Sequence, residues 1–259
     1  MDNPTVITKR FVRTVFRQLG YKIVKTGQSY SPLPDALNWI QSSQNIRTVL
    51  DIGANNGDFA AFLSSHFKAH ETYVFEPLAS CEGDLRSKAE RIANFHVFNV
   101  ALSDHSGTEI LYENSYSPAS SLLRMEKITK IEFPQTVGEI PRRVQVCPLD
   151  DLLNPDLLEK NIFVKVDVQG LEDRVIRGGR RVFSAAQCVL IEMSFVPMYE
   201  GQPLFEEVHS QLVEIGFRFA GLKNQINSPR TSRPSFAHCL YLRSDSPFFN
   251  FARTPCLSG

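Results

Sequence analysis

At 259 residues the chain has room for one α/β domain with additions and a sizeable core. Hydrophobic residues at 42% and charged residues at 22% are ordinary for a globular protein, and 28 Lys+Arg against 28 Asp+Glu leave no net charge to drive nucleic-acid binding. Five scattered cysteines (Cys81, Cys147, Cys188, Cys239, Cys256) without a C-x-x-C pair argue against a zinc cage or a disulfide framework, and no apolar run reaches membrane-spanning length or forms a signal-peptide core, so a cytoplasmic location is expected.

Phe11, Val12, Val15, Phe16 and Leu19 recur at helical spacing, with Lys9, Arg10, Arg13 and Arg17 on the other side. Residues 8–25 thus read as a basic amphipathic helix within an N-terminal extension, 1–45. Such a helix either packs on its own domain or on a partner subunit, making an oligomer, or lies peripherally on an anionic membrane surface. Pro32 and Pro34 punctuate the join, and Asp35–Ile40 reads as a helix leading into the first strand.

Arg47–Leu50 is a β-prone run, Asp51-Ile52-Gly53-Ala54-Asn55-Asn56-Gly57-Asp58-Phe59 a glycine turn, and Ala60–Phe67 a helix. Strand, turn, helix is the opening of an open α/β nucleotide site. Gly53 and Gly57 lack Cβ and let the backbone turn tightly against a ligand, toward which the helix start points unpaired N–H groups. The spacing is Asp-x-Gly-x-x-x-Gly, with Asn55 where a dinucleotide fingerprint would place its middle glycine. Asp51 beside the turn suits a cationic amino-acid moiety better than a pyrophosphate, and S-adenosylmethionine carries such a moiety. A nicotinamide or flavin cofactor, or a purely structural turn, are the other readings.

Thr72–Phe75 reads as the second strand, ending at Glu76, where one carboxylate can accept both hydroxyls of a ribose. Cys81–Ala93 reads as a helix and Phe95–Val100 as the third strand. The loop after it, Ala101–Asp104, is placed to touch an adenine, with Asp104 or a nearby backbone group meeting its exocyclic amine. Thr108–Glu113 and Arg142–Val146 read as two extra strands around an insertion, 114–141, that holds Ser115, Ser117, Ser120 and Ser121. Its length and its position above the expected site suggest a substrate lid.

After a short helix begun by Asp150–Leu153, Ile162–Val168 reads as a central strand, where Lys165 and Asp167 are anomalous and share one face. Gln169–Glu172 follows, then a helix with Val175 and Ile176 that ends at Gly178-Gly179. The next strand, Cys188–Ile191, ends at Glu192. In a parallel sheet Asp51, Glu76, Asp167 and Glu192 belong to one rim, the rim where such sheets bind ligands. A helix over 204–215, a strand at Phe217–Ala220, a polar loop Lys223–Ser235 and an antiparallel last strand at Ala237–Leu242 complete a domain expected over 46–245, with a tail at 246–259.

Together these segments resemble the FkbM family of methyltransferases. The matching residues are Val49–Gly57, Val74–Pro77, Asn99–Asp104, Ser120-Ser121-Leu122, Leu149–Leu153, Val164–Glu172 and Val175–Gly179. The resemblance implies a Rossmann-like class I methyltransferase fold: a seven-stranded, mostly parallel sheet with its last strand antiparallel and helices on both faces. It implies S-adenosylmethionine held by Asp51, Gly53, Asn55, Gly57, Glu76, Ala101 and Asp104, and O-methylation of a sugar or secondary metabolite. One common family form has Glu where Gln169 stands.

Methyl transfer to an alcohol needs positioning and a proton acceptor. The candidates are Asp167, Glu172, Glu192 and His238, with Asp167 leading as base or as acceptor of the substrate hydroxyl. The alternative is a buried ion network of Lys165, Asp167 and Glu192 that only holds the strands, with His238 structural. Asp167, Glu172 and Glu192 could converge on a hard cation, but nothing in the spacing demands one and no metal is assigned. The expected partner is a small-molecule or saccharide acceptor rather than nucleic acid. An NAD(P)-dependent oxidoreductase and a non-catalytic interaction protein of the same fold are the rival classes.

Overall fold

Burial on both faces selects the centre of the sheet, and here it selects the strands that carry Asp51 and Lys165. A computed structural model describes residues 33–136 and 138–249. Helix α1 (Leu33–Gln44) leads into β1 (Thr48–Ile52), α2 (Asp58–Phe67), β2 (Glu71–Phe75), α3 (Glu82–Ala89) and β3 (Phe95–Phe98). Then come β4 (Ala101–Leu102), β5 (Gly107–Asn114), α4 (Lys127–Glu132), β6 (Glu139–Cys147) and α5 (Leu149–Leu152). The chain continues through β7 (Ile162–Val166), α6 (Glu172–Gly178), α7 (Arg180–Ala185), β8 (Ala186–Ser194), α8 (Phe205–Glu214), β9 (Phe217–Asn227) and β10 (Pro234–Arg243).

The main sheet has the order β3-β2-β1-β7-β8-β10-β9. β3, β2, β1, β7 and β8 run parallel, while β10 is antiparallel to both β8 and β9. This is the expected seven-stranded class I methyltransferase topology. A second, three-stranded sheet of order β4-β6-β5 contains the two extra strands, paired antiparallel.

β1 and β7 are buried at every position. Alternation sorts their side chains onto two faces. Leu50, Ile52, Val164 and Val166 join Val175, Ile176, Val182 and Phe183 of α6 and α7, and Val208 and Leu212 of α8, in one core. Val49 and Phe163 face the other way, with Leu37 and Ile40 of α1 and Leu63 and Phe67 of α2. Asp51 and Lys165 belong to that second face and stand directly opposite each other in register. The same face continues across the sheet, because Glu192 of β8 opposes His238 of β10, and His238 opposes Lys223 of β9. A polar stripe therefore crosses the sheet near the carboxyl ends of its parallel strands.

Three elements differ from the sequence reading. The helix expected over Cys81–Ala93 is α3 alone. Ala79–Cys81 forms a 3-10 turn before it, and the chain leaves the helix before Asn94, whose φ is 55°. The loop expected over Lys223–Ser235 shrinks to residues 228–233, because Lys223, Gln225 and Asn227 continue β9 and their backbone pairs with β10. Polar side chains on alternate residues look like a loop, but the ladder satisfies the backbone beneath them. α7 follows Gly179 as a separate short helix.

Cys81, Cys147, Cys188 and Cys239 are free thiols. The basic helix expected at 8–25 and Cys256 lie outside the described residues. Among the described residues no helix is long and apolar enough to cross a membrane.

Candidate active site

The glycine turn is built around one close approach. Gly53 has φ 73°, and a β-carbon there would lie 1.9 Å from the Asp167 carbonyl oxygen. The turn can therefore sit against the end of β7 only as glycine. Gly57, at φ 79°, precedes α2, and a β-carbon there would meet the Leu85 side chain at 2.6 Å. Gly57 thus fits the turn against α3 and does not line the cavity.

Glu76, at the end of β2, braces the turn from the other side. Its carboxylate accepts hydrogen bonds from the Asn55 N–H at 2.7 Å and the Leu78 N–H at 2.9 Å. Burial raises its pKa, and those two donors pull the other way. Each oxygen holds one backbone donor and keeps a further lone pair. Asn55, at φ 50°, donates through Nδ2 to Ser117 Oγ at 2.9 Å and so ties the turn to the insertion.

These groups line a cavity of about 510 Å³. Its near wall is Gly53–Asn56, Phe59 and Glu76–Leu78, and an apolar edge comes from Val100, Ala101 and Leu102. Ser117, Pro118, Ser120, Ser121 and Leu122 of the insertion cover one side. Lys165, Asp167, Gln169, Lys223, Asn224 and His238 form the far wall.

The far wall is a connected polar network. Lys165 Nζ lies 3.0 Å from Asp51, 2.7 Å from the Gly53 carbonyl oxygen and 3.8 Å from Asp167 Oδ2. The Gln169 side-chain amide donates to Asp167 Oδ1 at 2.6 Å and to Glu192 Oε1 at 2.9 Å. The Tyr199 hydroxyl donates to Gln169 Oε1 at 2.8 Å, and Ser121 Oγ donates to the Gln169 carbonyl at 2.6 Å. Gln169 holds this position with φ 56°. His238 Nε2 lies 3.7 Å from Asp167 Oδ2 and 3.8 Å from Glu192 Oε2.

Charge separates the carboxylates. Burial pushes Asp167 up, but Lys165 and His238 outweigh it and hold the carboxyl well below its ordinary range. Burial, reinforced by Asp167 and Glu172, holds Glu192 well above its ordinary value. Burial carries Glu172 to about 7 despite N–H donors from its own turn. Lys165 stays charged: Asp51 and Asp167 overcome the burial that would lower it.

Five residues expected at the ligand lie elsewhere, Gly57 of the turn and Glu192 among them. Asp51 is fully buried beneath the wall, facing Lys165, because its register on β1 points it across to β7 rather than into the turn. Asp104 does not line the cavity, since its carboxylate binds Arg177 at 2.8 Å and His105 at 3.1 Å. Glu172 opens only onto a second, small cavity of about 20 Å³ behind Gln169, which it shares with Glu192, Ser194 and Tyr199. Gly53, Asn55, Glu76, Ala101, Asp167 and His238 do line the main cavity. Tyr199, Lys223 and Asn224 had no sequence signal that marked them. Tyr199 arrives from the loop after β8, and Lys223 depends on the register of β9 with β10.

The family described as "Methyltransferase FkbM domain" matches residues 51–219. The chain is 29% identical over 161 residues to 2-O-methyltransferase NoeI of Sinorhizobium fredii (strain NBRC 101917 / NGR234). That match covers 60% of this chain and 66% of the relative, so the chain spans just under two thirds of the relative's length. Among solved structures, it is similar to magnesium protoporphyrin IX methyltransferase (ChlM) from Synechocystis PCC 6803 with bound SAH. The TM-score is 0.42 and the identity 11%, over 91% of this chain and 100% of that one. It is also similar to an rRNA methylase from Streptococcus thermophilus, with a TM-score of 0.42 and 10% identity over 83% and 97% of the two chains.

Proposed function

The chain belongs to the FkbM methyltransferase family, and on that premise we propose that it transfers a methyl group from S-adenosylmethionine to a hydroxyl of a saccharide or other small-molecule acceptor. The observation that carries the reading is that a nucleoside-shaped half-site and a polar, proton-handling half-site open onto one cavity. The relative at 29% identity is a 2-O-methyltransferase by name, which favours a hydroxyl acceptor. The family match favours methyl transfer over the nicotinamide reading.

The residues fit the cofactor. Glu76 keeps lone pairs for two ribose hydroxyls after binding its backbone donors. Val100, Ala101 and Leu102 offer an apolar edge to the adenine, and Gly53–Asn56 bring backbone close to the amino-acid end. When bound, S-adenosylmethionine supplies an electrophilic methyl group for in-line displacement.

Asp51 acts through Lys165, which it holds charged beneath the Gly53 carbonyl and beside Asp167. Asp167 and His238, two of the polar groups of the far wall, receive and orient the acceptor hydroxyl, with Asp167 accepting its proton as the methyl group is transferred. Holding two reactants in register is worth on the order of 7–11 kcal/mol of the barrier. The insertion, tied to the turn and to Gln169 through Ser117 and Ser121, covers one side of the cavity as a lid.

Calorimetric titration with S-adenosylhomocysteine, alongside NADH, tests the cofactor. Binding of S-adenosylhomocysteine but not NADH is the expected result, followed by methyl transfer to saccharides in an acceptor screen. Binding of NADH alone would overturn the reading.

A further inference from the structure

Asp167, Glu192 and His238 do more than sit near one another. Each carboxylate has one oxygen tied back by the same amide: Gln169 Nε2 donates to Asp167 Oδ1 and Glu192 Oε1. The second oxygens, Asp167 Oδ2 and Glu192 Oε2, are thereby both turned toward His238 Nε2, at 3.7 and 3.8 Å. Those separations are too long for hydrogen bonds. The Nδ1 of His238 is buried and takes no hydrogen-bond partner among the described residues, so the ring's polar interactions lie at its Nε2 edge.

Lys165 does not fill the gap. Lys165 Nζ is committed to Asp51 and the Gly53 carbonyl and stays 3.8 Å from Asp167 Oδ2. Two carboxylate oxygens and an imidazole nitrogen, all within 4.8 Å of one another, thus enclose a point beside the main cavity. We propose that Asp167, Glu192 and His238 bind a divalent cation of the magnesium or manganese class, with its remaining coordination positions open to the acceptor.

The donor set suits that class. Hard divalent ions favour carboxylate oxygen in near-octahedral geometry, and manganese also accepts imidazole. Neighbouring ligands around such an ion stand on the order of 3 Å apart, so His238 needs to close on each carboxylate by about 1 Å and the two carboxylate oxygens on each other by no more than about 2 Å. A facial set of three protein ligands leaves three positions, enough for two adjacent hydroxyl oxygens and a water. An acceptor with vicinal oxygens, as in a sugar ring, is the chemistry such a face recognises. Gln169 is the positioning residue: it fixes which oxygen of each carboxylate faces the ion, and Tyr199 fixes the amide.

The inference deepens the methyl-transfer reading and rests on it for the identity of the acceptor, though not for the binding of the ion. The test is titration of chelator-treated full-length protein with Mn²⁺, followed by calorimetry and electron paramagnetic resonance, with S-adenosylhomocysteine affinity measured in parallel. One equivalent of Mn²⁺ is expected to bind. Glu192→Gln and His238→Ala should each weaken it at least about tenfold while leaving S-adenosylhomocysteine affinity within about twofold. Absence of Mn²⁺ binding at millimolar concentration, or binding that neither variant weakens, overturns the cation site. If S-adenosylhomocysteine also fails to bind the unaltered protein, the methyl-transfer reading fails separately. A variant that loses both ligands is answered by circular dichroism and by the other variant.

Discussion

The Asp167 carbonyl oxygen occupies the place where any residue other than glycine at position 53 would put its β-carbon. The glycine turn and the end of β7, 114 residues apart in sequence, are thus one structural unit. Gly53→Ala combines that collision with a left-handed backbone, at φ 73°. It should destabilise the fold by at least about 2 kcal/mol. A shift of the urea midpoint checks this, and an unchanged midpoint would mean the strand end yields freely.

Glu76 is both brace and ligand. Glu76→Ala orphans the Asn55 and Leu78 N–H groups and removes the ribose acceptor. Affinity for S-adenosylhomocysteine should fall by more than tenfold, with a stability loss of about 1–3 kcal/mol. Glu76→Gln keeps acceptor capacity on one oxygen and should fall between the alanine variant and the unaltered protein in both calorimetry and melting.

Glu172 makes stability depend on pH. An unfolded glutamate ionises near its ordinary 4.5, whereas burial keeps the folded carboxyl protonated up to about 7. The fold therefore loses stability as pH rises from about 4.5 to about 7, by on the order of 3 kcal/mol, and carries the full penalty above that. Glu172→Gln keeps an oxygen to accept the Gly170 N–H and removes the ionisation. In chelator-containing buffer the variant should gain on the unaltered protein at pH 8 but little at pH 5. Equal differences at the two pH values, read by chemical denaturation, would place the titration elsewhere.

Tyr199→Phe deletes the hydroxyl that donates to Gln169 Oε1 and lies 3.1 Å from the Ala119 carbonyl. With the amide no longer fixed, kcat should drop by about tenfold or more while S-adenosylhomocysteine affinity holds. Stability should fall by about 1 kcal/mol. A loss confined to cofactor affinity would show that the network serves the nucleoside end instead.

What the sequence makes legible follows the range of the interactions. The strand, glycine turn and helix over Thr48–Phe67 are local and stand out from residue types alone. Lys165 and Asp167 stand out because a central strand excludes charge. The partner of Lys165 is less visible. Asp51 reads as a ligand contact because it precedes the turn, whereas the β1–β7 register turns it toward the lysine. Asp104 is legible as a polar loop residue, but its capture by Arg177 depends on how α6 meets the loop after β4. The roles of Tyr199 and Lys223 are set by a loop path and a strand register, neither of which leaves a pattern in neighbouring residues. Gln169 is legible only as a departure from one common family form, and its role as donor to two carboxylates emerges once β7 and β8 bring Asp167 and Glu192 together.

β10 lies between β8 and β9, although it is the last of the three to be synthesised. On the ribosome, β8 and β9 emerge first and cannot pair in their final arrangement, since the slot between them is reserved. Until residues 234–243 enter that slot, β8 has a bare edge and Glu192 has no His238 opposite it. The acceptor half of the site is thereby incomplete until residues 234–243 are in place, whereas Gly53, Glu76 and Ala101 of the nucleoside half all precede them in the chain.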